Sequence, residues 1–389
     1  MRSAVLADLL DLCDSGVWGN EEPASGMSVL RSTNFRNDGT LNFESLAFRA
    51  IEPAKRVSKL LSRGDLLLEK SGGGPSQPVG RVVLFNGDGL PHTFGNFIAR
   101  LRPKSLVVSE YLWYYLRYFH SLGKTSHYQK QTTGIRNLEF KRYLSIQVPL
   151  RQLDEQRCIV DLLSRAEGIV RLRREAQQKA AELIPAIFID MFGDPATNPN
   201  SWPIGKFGDV GALDRGKSRH RPRDAAALYG GPYPFIQTGD VANSGGRIRR
   251  HTATYSDSGL AQSKLWRAGT LCITIAANIA KTGVLEFDAC FPDSVVGFVP
   301  GDRVRVGYVQ AWLGFLQPTL EANAPQAAQK NINLEILRAL PIPVPPIDQQ
   351  DAFVDRCERV LSIERQQAAA LASSQAAFDA LLARAFSED

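Results

Sequence analysis

The stretch Val148-Pro149-Leu150-Arg151-Gln152-Leu153-Asp154-Glu155-Gln156 is echoed by Val344-Pro345-Pro346-Ile347-Asp348-Gln349-Gln350. Each copy leads into a segment with helical periodicity. A shift of 194 residues places Asp154 on Asp348, Gln156 on Gln350, Val160 on Val354 and Asp161 on Asp355. The same shift matches Arg165 to Arg359, Ile169 to Ile363, Arg171 to Arg365 and Phe192 to Phe386. Upstream, Asn137-Leu138 partly matches Asn333-Leu334. One repeat covering half the chain excludes a solenoid of short units. It predicts a duplicated module, a large mixed domain followed by a long helix, present twice.

The helices follow from apolar period. From Ile159 the positions run through Leu163, Ala166, Ile169 or Val170, Ala176, Ala180, Leu183 or Ile184, Ile187 and Met191. From Phe353 they run through Cys357, Val360 or Leu361, Ala368, Leu371, Phe378, Leu381 or Leu382, and Ala385. Steps of three and four sustained this long predict a narrow, coiled-coil-like seam, interrupted at Arg173 and Glu364. A straight helix from Asp154 to Phe192 would span roughly 58 Å. Pro185 lacks an amide donor and predicts a kink or break. Neither helix can bury its stripe alone, so each is expected to lie against the other. Gly193-Asp194-Pro195 and Asn198-Pro199-Asn200 read as a helix stop and a short linker.

The other segments carry short β-type runs: Val29-Leu30, Leu66 to Leu68, Val82 to Phe85, Leu271 to Ile275 and Val295 to Val299. Gly, Asn and Asp stand at the joints. One helix, Glu110 to His120, interrupts the first segment, and Val306 to Gln317 is its counterpart. The expected fold class is α+β, with mixed domains at 1–150 and 195–346 and spacer helices at 151–194 and 347–389.

A chain of 389 residues with 44% hydrophobic and 22% charged side chains reads as globular. No run approaches eighteen apolar residues, which argues against a membrane-spanning helix. Met1 to Gly16 carries Asp8, Asp11 and Asp14 against a single Arg2, the wrong charge for a signal peptide. Five scattered cysteines without a C-x-x-C suit a reducing cytoplasm. The net charge of +6 is by itself a weak hint of a polyanionic partner. Its distribution says more: +6 in 1–150, zero in 151–192, +4 in 193–346 and −4 in 347–389.

Gly211-Ala212-Leu213-Asp214-Arg215-Gly216-Lys217-Ser218 fits the phosphate-loop pattern literally. Its sequel, Arg219-His220-Arg221-Pro222-Arg223, is not an apolar helix that could aim its N-terminus at phosphate. A P-loop nucleotide hydrolase is therefore the alternative, and a basic loop the preferred reading. Arg215, Lys217, Arg219, His220, Arg221 and Arg223 suit DNA phosphates and guanine edges, or else a solvated surface. Arg247, Arg249, Arg250 and His251 form a second basic cluster. Arg31-Ser32-Thr33-Asn34 and Gln237-Thr238-Gly239-Asp240 follow apolar runs in the two halves and suit base edges and ordinary turns equally. Lys70 to Gly74 reads as a flexible turn or a phosphate loop. Gln129 to Thr133, which includes Lys130, either touches DNA or caps a strand. No amino-methyltransferase tetrapeptide, G-x-G-x-x-G, nuclease cluster, metal-ligand histidine spacing or catalytic triad pattern occurs.

Gly134-Ile135-Arg136-Asn137-Leu138, with Ile146 to Leu150 and Asp154-Glu155-Gln156, resembles a junction in type I restriction–modification specificity subunits. So do Asn331 to Leu334 with Leu340 to Pro346 and Gln350, and Met191 to Pro195 with Trp202-Pro203. Phe235 to Val241 and Gly269 to Ile275 are similar to a widespread type of target-recognition domain. The resemblance implies two recognition domains, each reading one half of a split DNA site, held apart by two long helices packed antiparallel. It implies no catalysis and no cofactor in this chain. Two methylation (M) subunits would dock beside the helices and bring S-adenosylmethionine, and restriction (R) motor–nuclease subunits are further candidate partners. Expected DNA-binding residues are Arg31, Ser32, Asn34, Lys70, Lys130, Thr133 and Arg136 in the first domain. In the second they are Arg215, Lys217, Arg219, His220, Arg221, Arg223, Gln237, Thr238 and Asp240. A nucleic-acid-binding scaffold, whose helices bind partners and whose basic domains contact RNA or membranes, is the other alternative. Lys330 stands opposite Gly134, a departure from the family pattern, and the two recognition domains match each other poorly, which implies a non-palindromic site.

Overall fold

Each β-type run is a strand in the computed structural model, which describes residues 2–74, 77–132, 135–220, 222–276, 278–322 and 332–387. The strands repeat in arrangement where the sequence does not repeat in letters. In the first half, Leu10–Ser15, Ile98–Pro103, Leu66–Glu69 and Val82–Leu84 lie side by side, all antiparallel. In the second half, Gly211–Arg215, Val295–Pro300, Leu271–Thr274 and Thr282–Leu285 take the same order and directions, and Arg247–Ile248 adds a parallel edge. Smaller pairs recur too. Ser3–Val5 joins Gln147–Pro149 as Ile204–Lys206 joins Pro341–Pro343. Met27–Leu30 joins Ala47–Arg49 as Tyr229–Phe235 joins Ala253–Tyr255.

The two domain helices are Ser109–Ser121 and Val306–Ala322. The first spacer helix runs Leu153–Ala181 and resumes as Leu183–Phe192, and the second runs unbroken over Ile347–Phe386. The interruption sits where Pro185 requires it. A proline cannot donate to the carbonyl four residues back, here Ala181, and its ring crowds that carbonyl. The Glu182 N–H bonds instead to the Lys179 carbonyl at 3.2 Å, a tightened turn.

The chain gathers into two compact units, Met1–Arg174 with Ala370–Asp389, and Glu175–Ala369. Each thus holds one mixed domain and portions of both spacer helices. In the first unit, Leu163 and Val170 share a core with Phe378, Leu382 and Phe386, and with Tyr111, Tyr114 and Tyr115 of the domain helix. The second core joins Phe188 and Phe192 to Phe353, Tyr308 and Trp312. Early residues of one helix meet late residues of the other in both units, so the seam is antiparallel. It works largely through aromatic rings: Phe386 lies 5.1 Å from Tyr111, and its repeat equivalent Phe192 lies 5.0 Å from Tyr308.

Gln156 and Gln350, matched by the repeat, have one structural role. Both are fully buried. Gln156 Oε1 accepts the Val108 N–H at 2.8 Å, and its Nε2 donates to the carbonyls of Leu106 and Arg151. Gln350 Oε1 accepts the Arg305 N–H at 2.8 Å, and its Nε2 donates to the carbonyls of Arg303 and Pro345. Each glutamine clamps the start of a spacer helix to the turn before a domain helix. Replacing either with leucine strands buried backbone groups, at about 1–3 kcal/mol. Urea unfolding of Gln156→Leu and Gln350→Leu checks this, and an unchanged midpoint would contradict the clamp.

Candidate nucleic-acid interface

In the first unit, the strand Met27–Leu30 runs into a single tight turn, Ser32–Asn34. Asn34 closes it. Its Oδ1 accepts the Arg31 N–H at 2.8 Å, and its Nδ2 donates to the carbonyls of Asn42 and Ser45 at 2.9 and 3.0 Å. At 2% exposure, Asn34 has its whole amide committed inside the protein. The expectation that Asn34 touches DNA is therefore corrected: it shapes the loop that others use. Arg31 is half-buried, and its Nη2 donates to the Ser45 carbonyl at 3.1 Å. Arg81 holds the turn from below, with Nη2 on the Ser32 carbonyl and Nη1 on the Phe35 carbonyl. Arg31 and Ser32 share a cavity of 530 Å³ with Trp18, Thr33, Asn96 and Phe97. Thr33 belongs to the polar turn read from sequence; Trp18, Asn96 and Phe97 were missed, because only the fold brings them beside it and shows which aromatic rings stay exposed.

Three other first-unit candidates gather on one small sheet: Lys130 and Arg136 lie on the paired strands Gln129–Thr132 and Ile135–Leu138, and Lys70 leads into the third strand, Ser71–Gly73. Lys70 Nζ donates to Ser15 Oγ at 2.6 Å, and burial pushes its ammonium below the ordinary lysine range. Lys130 reaches Glu139 at 2.7 Å, and hydrogen bonds from Lys130 and Arg142 hold the Glu139 carboxyl below its usual range. Arg136 lies half-buried in the strand Ile135–Leu138, opposite Gly73. Thr133 lies outside the described residues.

The second unit repeats the capped turn with different side chains. The Gln237 N–H donates to Asp240 Oδ2 at 2.8 Å at the start of the helix Thr238–Ala242, and Thr252 Oγ1 donates to the same oxygen. Gln237 is exposed, while Thr238 and Asp240 are half-buried. Gln237 and Asp240 line a groove of 630 Å³ with Asn243, Arg247, Arg249 and Arg250. Part of this basic cluster is neutralised: Arg247 pairs with Glu358, and Arg249 Nε lies 3.1 Å from Glu286.

The loop after Gly211–Arg215 presents the densest positive charge. Gly216 donates its N–H to the Val295 carbonyl at 2.9 Å. A Cβ on Gly216 would fall 2.2 Å from the Phe291 carbonyl oxygen, so only glycine fits. Beyond it the loop is pinned by Ser263 Oγ donating to the Lys217 carbonyl and by the His220 N–H donating to Gln262 Oε1. Arg223 meets Asp293 at 2.9 Å. Arg215, Lys217, Arg219 and His220 are all exposed along this loop, and Arg221 lies outside the described residues. The P-loop alternative is overturned here. Gly211–Arg215 is a paired strand, both glycines abut backbone carbonyls rather than phosphate space, and the described residues from 217 to 225 form no helix.

One Ser-His-Asp set does come together. Ser28 Oγ lies 2.8 Å from His92 Nδ1, and His92 Nε2 lies 2.8 Å from Asp88 Oδ1. Ser28 and His92 are buried in adjacent strands, so this set ties the sheet rather than serving a substrate. Among the described residues, no His, Cys, Asp or Glu group could hold a metal, and no helix is long and apolar enough to cross a membrane.

Two equivalent units, each presenting a capped turn beside exposed cationic or aromatic side chains, match a known family. The model of the type I restriction modification DNA specificity domain fits residues 31–182 and again 199–372. The chain belongs to this specificity family. A putative type I restriction enzyme MjaX specificity subunit from Methanocaldococcus jannaschii is 20% identical over 93% of this chain and 88% of its own length. Two solved structures share the fold. One is a chain from a type I restriction–modification system studied for complex assembly and conformational transition, with TM-score 0.63, 19% identity, and 99% and 97% coverage. The other is the type I S subunit from M. genitalium, with TM-score 0.55, 13% identity, and 100% and 96% coverage. The two matched segments cover most of the duplicated sheets, the first beginning after Leu10–Ser15 and Met27–Leu30.

Proposed function

We propose that each unit reads one half of a bipartite site in duplex DNA, and that the spacer helices set the unread gap. The observation that carries this reading is the pair of capped turns, Arg31 to Asn34 and Gln237 to Asp240, built alike on equivalent strands but offering different side chains. The segregation of positive charge into the two mixed domains supports a DNA partner over a neutral one. The chain itself does no chemistry in this reading. Methylation subunits supply S-adenosylmethionine, restriction subunits join a larger assembly, and the complex acts in the cytoplasm. Leu162, Ile169 and Leu172 are exposed on the first spacer helix at spacings of seven and three, one stripe suited to such a subunit.

Expression with its methylation partner, followed by mapping of methylated bases across the host genome, tests the reading. A split motif with two unlike halves is the expected result, and methylation without sequence preference would overturn it. RNA bound in preference to duplex DNA would favour the scaffold alternative. Within the second unit, alanine at Arg215, Lys217 or Arg219 separates two kinds of contact. A base-reading arginine costs about 1–3 kcal/mol and relaxes one position of the motif. A phosphate contact weakens all sequences alike and lowers the salt slope by about one. Uniform loss for all three substitutions would remove base reading from this loop.

A further inference from the structure

The two units differ most at positions their backbones make equivalent. Gly16 donates its N–H to the Ile98 carbonyl, as Gly216 does to the Val295 carbonyl. Two residues beyond these glycines stand Trp18 and Ser218, and one residue before the acceptors stand Phe97 and Ser294. The first unit thus has two aromatic rings where the second has two hydroxyls. In the second unit Ser218 is buried, between the exposed Lys217 and Arg219 along the chain.

The rings are fixed as walls. The Arg49 guanidinium lies 4.3 Å over the Trp18 ring, and the Cβ position of Gly95 falls 3.7 Å from Trp18. Phe97 lies 3.8 Å from the Cβ position of Gly72, whose φ of +100° only glycine adopts comfortably. Even so, Trp18 is 46% and Phe97 50% exposed. Between them the 530 Å³ cavity is rimmed by Arg31, Ser32, Thr33 and Asn96. A ring that unstacks DNA must project as a wedge. This surface is concave, so it receives a projecting apolar group. In the major groove that group is the 5-methyl of thymine, the apolar feature of the base edges. Hydroxyl, amide and guanidinium groups on the rim suit the polar edge beside it.

We propose that Trp18 and Phe97 form a methyl-reading wall, which contacts the 5-methyl group of a pyrimidine in the half-site read by the first unit. The second unit reads its half without such a contact. This inference rests on the proposed DNA-reading function. The methyl could come from thymine or from 5-methylcytosine, and substituted duplexes distinguish them.

The experiment uses the full chain with its methylation partner and duplexes in which each thymine is replaced by deoxyuridine in turn. Binding weakens about four- to tenfold at one position of the first unit's half-site, about what desolvating one methyl-sized group against an aromatic wall provides. No position of the other half-site responds. If 5-methylcytosine paired with guanine at that position beats cytosine paired with guanine by a similar ratio, the wall accepts either source. If it does not, the wall reads thymine. Trp18→Ala and Phe97→Ser bind thymine and deoxyuridine duplexes equally while still reading the second half-site, which shows that they are folded. Should Trp18→Ala fail to fold, Phe97→Ser decides. Methyl dependence that survives in Phe97→Ser, or that lies only in the other half-site, would overturn the wall. Sequence preference with no methyl dependence anywhere overturns this inference alone. A complex with no sequence preference would overturn the proposed function and the wall together.

Discussion

Phe386→Ala lowers the stability of the first unit by about 3–5 kcal/mol, the usual cost of emptying a large aromatic site in a core. The ring is buried, with centroids 5.1, 5.5 and 6.2 Å from those of Tyr111, Tyr115 and Tyr118. Tyr111 is itself held by its hydroxyl donating to the Pro149 carbonyl at 2.9 Å, so the site cannot collapse easily around the gap. A domain stability of about 5–15 kcal/mol leaves little margin after such a loss. Hydrogen exchange read peptide by peptide checks the prediction. Protection falls across the first unit and holds in the second, and Phe192→Ala reverses the pattern. Equal loss in both units would contradict the division of the two cores.

Arg81→Ala has an effect of similar size through a different mechanism. Arg81 Nε and Nη2 grip the Glu69 carboxylate at 2.8 and 2.9 Å, and Glu69 is buried in a central strand. Removing the guanidinium leaves that carboxylate without its counter-charge, at about 3–5 kcal/mol. It also removes the two anchors on the Ser32 and Phe35 carbonyls, so the turn carrying Arg31 loses its position. Arg81 is a positioning residue, and a second variant separates its two roles. Glu69→Leu combined with Arg81→Met removes the stranded charge and regains most of the stability. It does not regain the anchors, so discrimination at the first half-site stays blurred while the second half-site is read normally. Recovery of both properties would contradict the anchoring role.

The duplication and the long helices were legible in the sequence because both rest on signals that local composition carries. Gln156 and Gln350 stood out as repeated letters, and periodicity exposed the seam. The break near Pro185 followed from one missing donor. The reading loops were less legible. Asn34 and Thr33 are adjacent short polar residues with similar propensities, yet one is consumed by the turn and the other lines the cavity. That distinction depends on the Asn42 and Ser45 carbonyls brought in by a later segment. Trp18 and Phe97 carried no sequence signal, since an aromatic residue is ordinarily taken for core. The P-loop pattern misled in the opposite sense: its letters are all present, but strand pairing to Val295–Pro300 uses the backbone that phosphate would need.

The first unit is completed by residues from the far end of the chain, and this orders events during synthesis. Glu175–Ala369 leaves the ribosome as one continuous run and can close by itself. The strands of the first unit emerge earlier, yet Phe378, Leu382 and Phe386 arrive only after the second unit. At about 5–20 residues per second, translating from Arg174 to Phe386 takes roughly 10–40 s. Throughout that interval Leu163, Val170 and the tyrosines of the domain helix lack their covering. The domain made first is therefore completed after its neighbour, and a chain cut before Phe378 loses core residues of the N-terminal reader rather than of its neighbour.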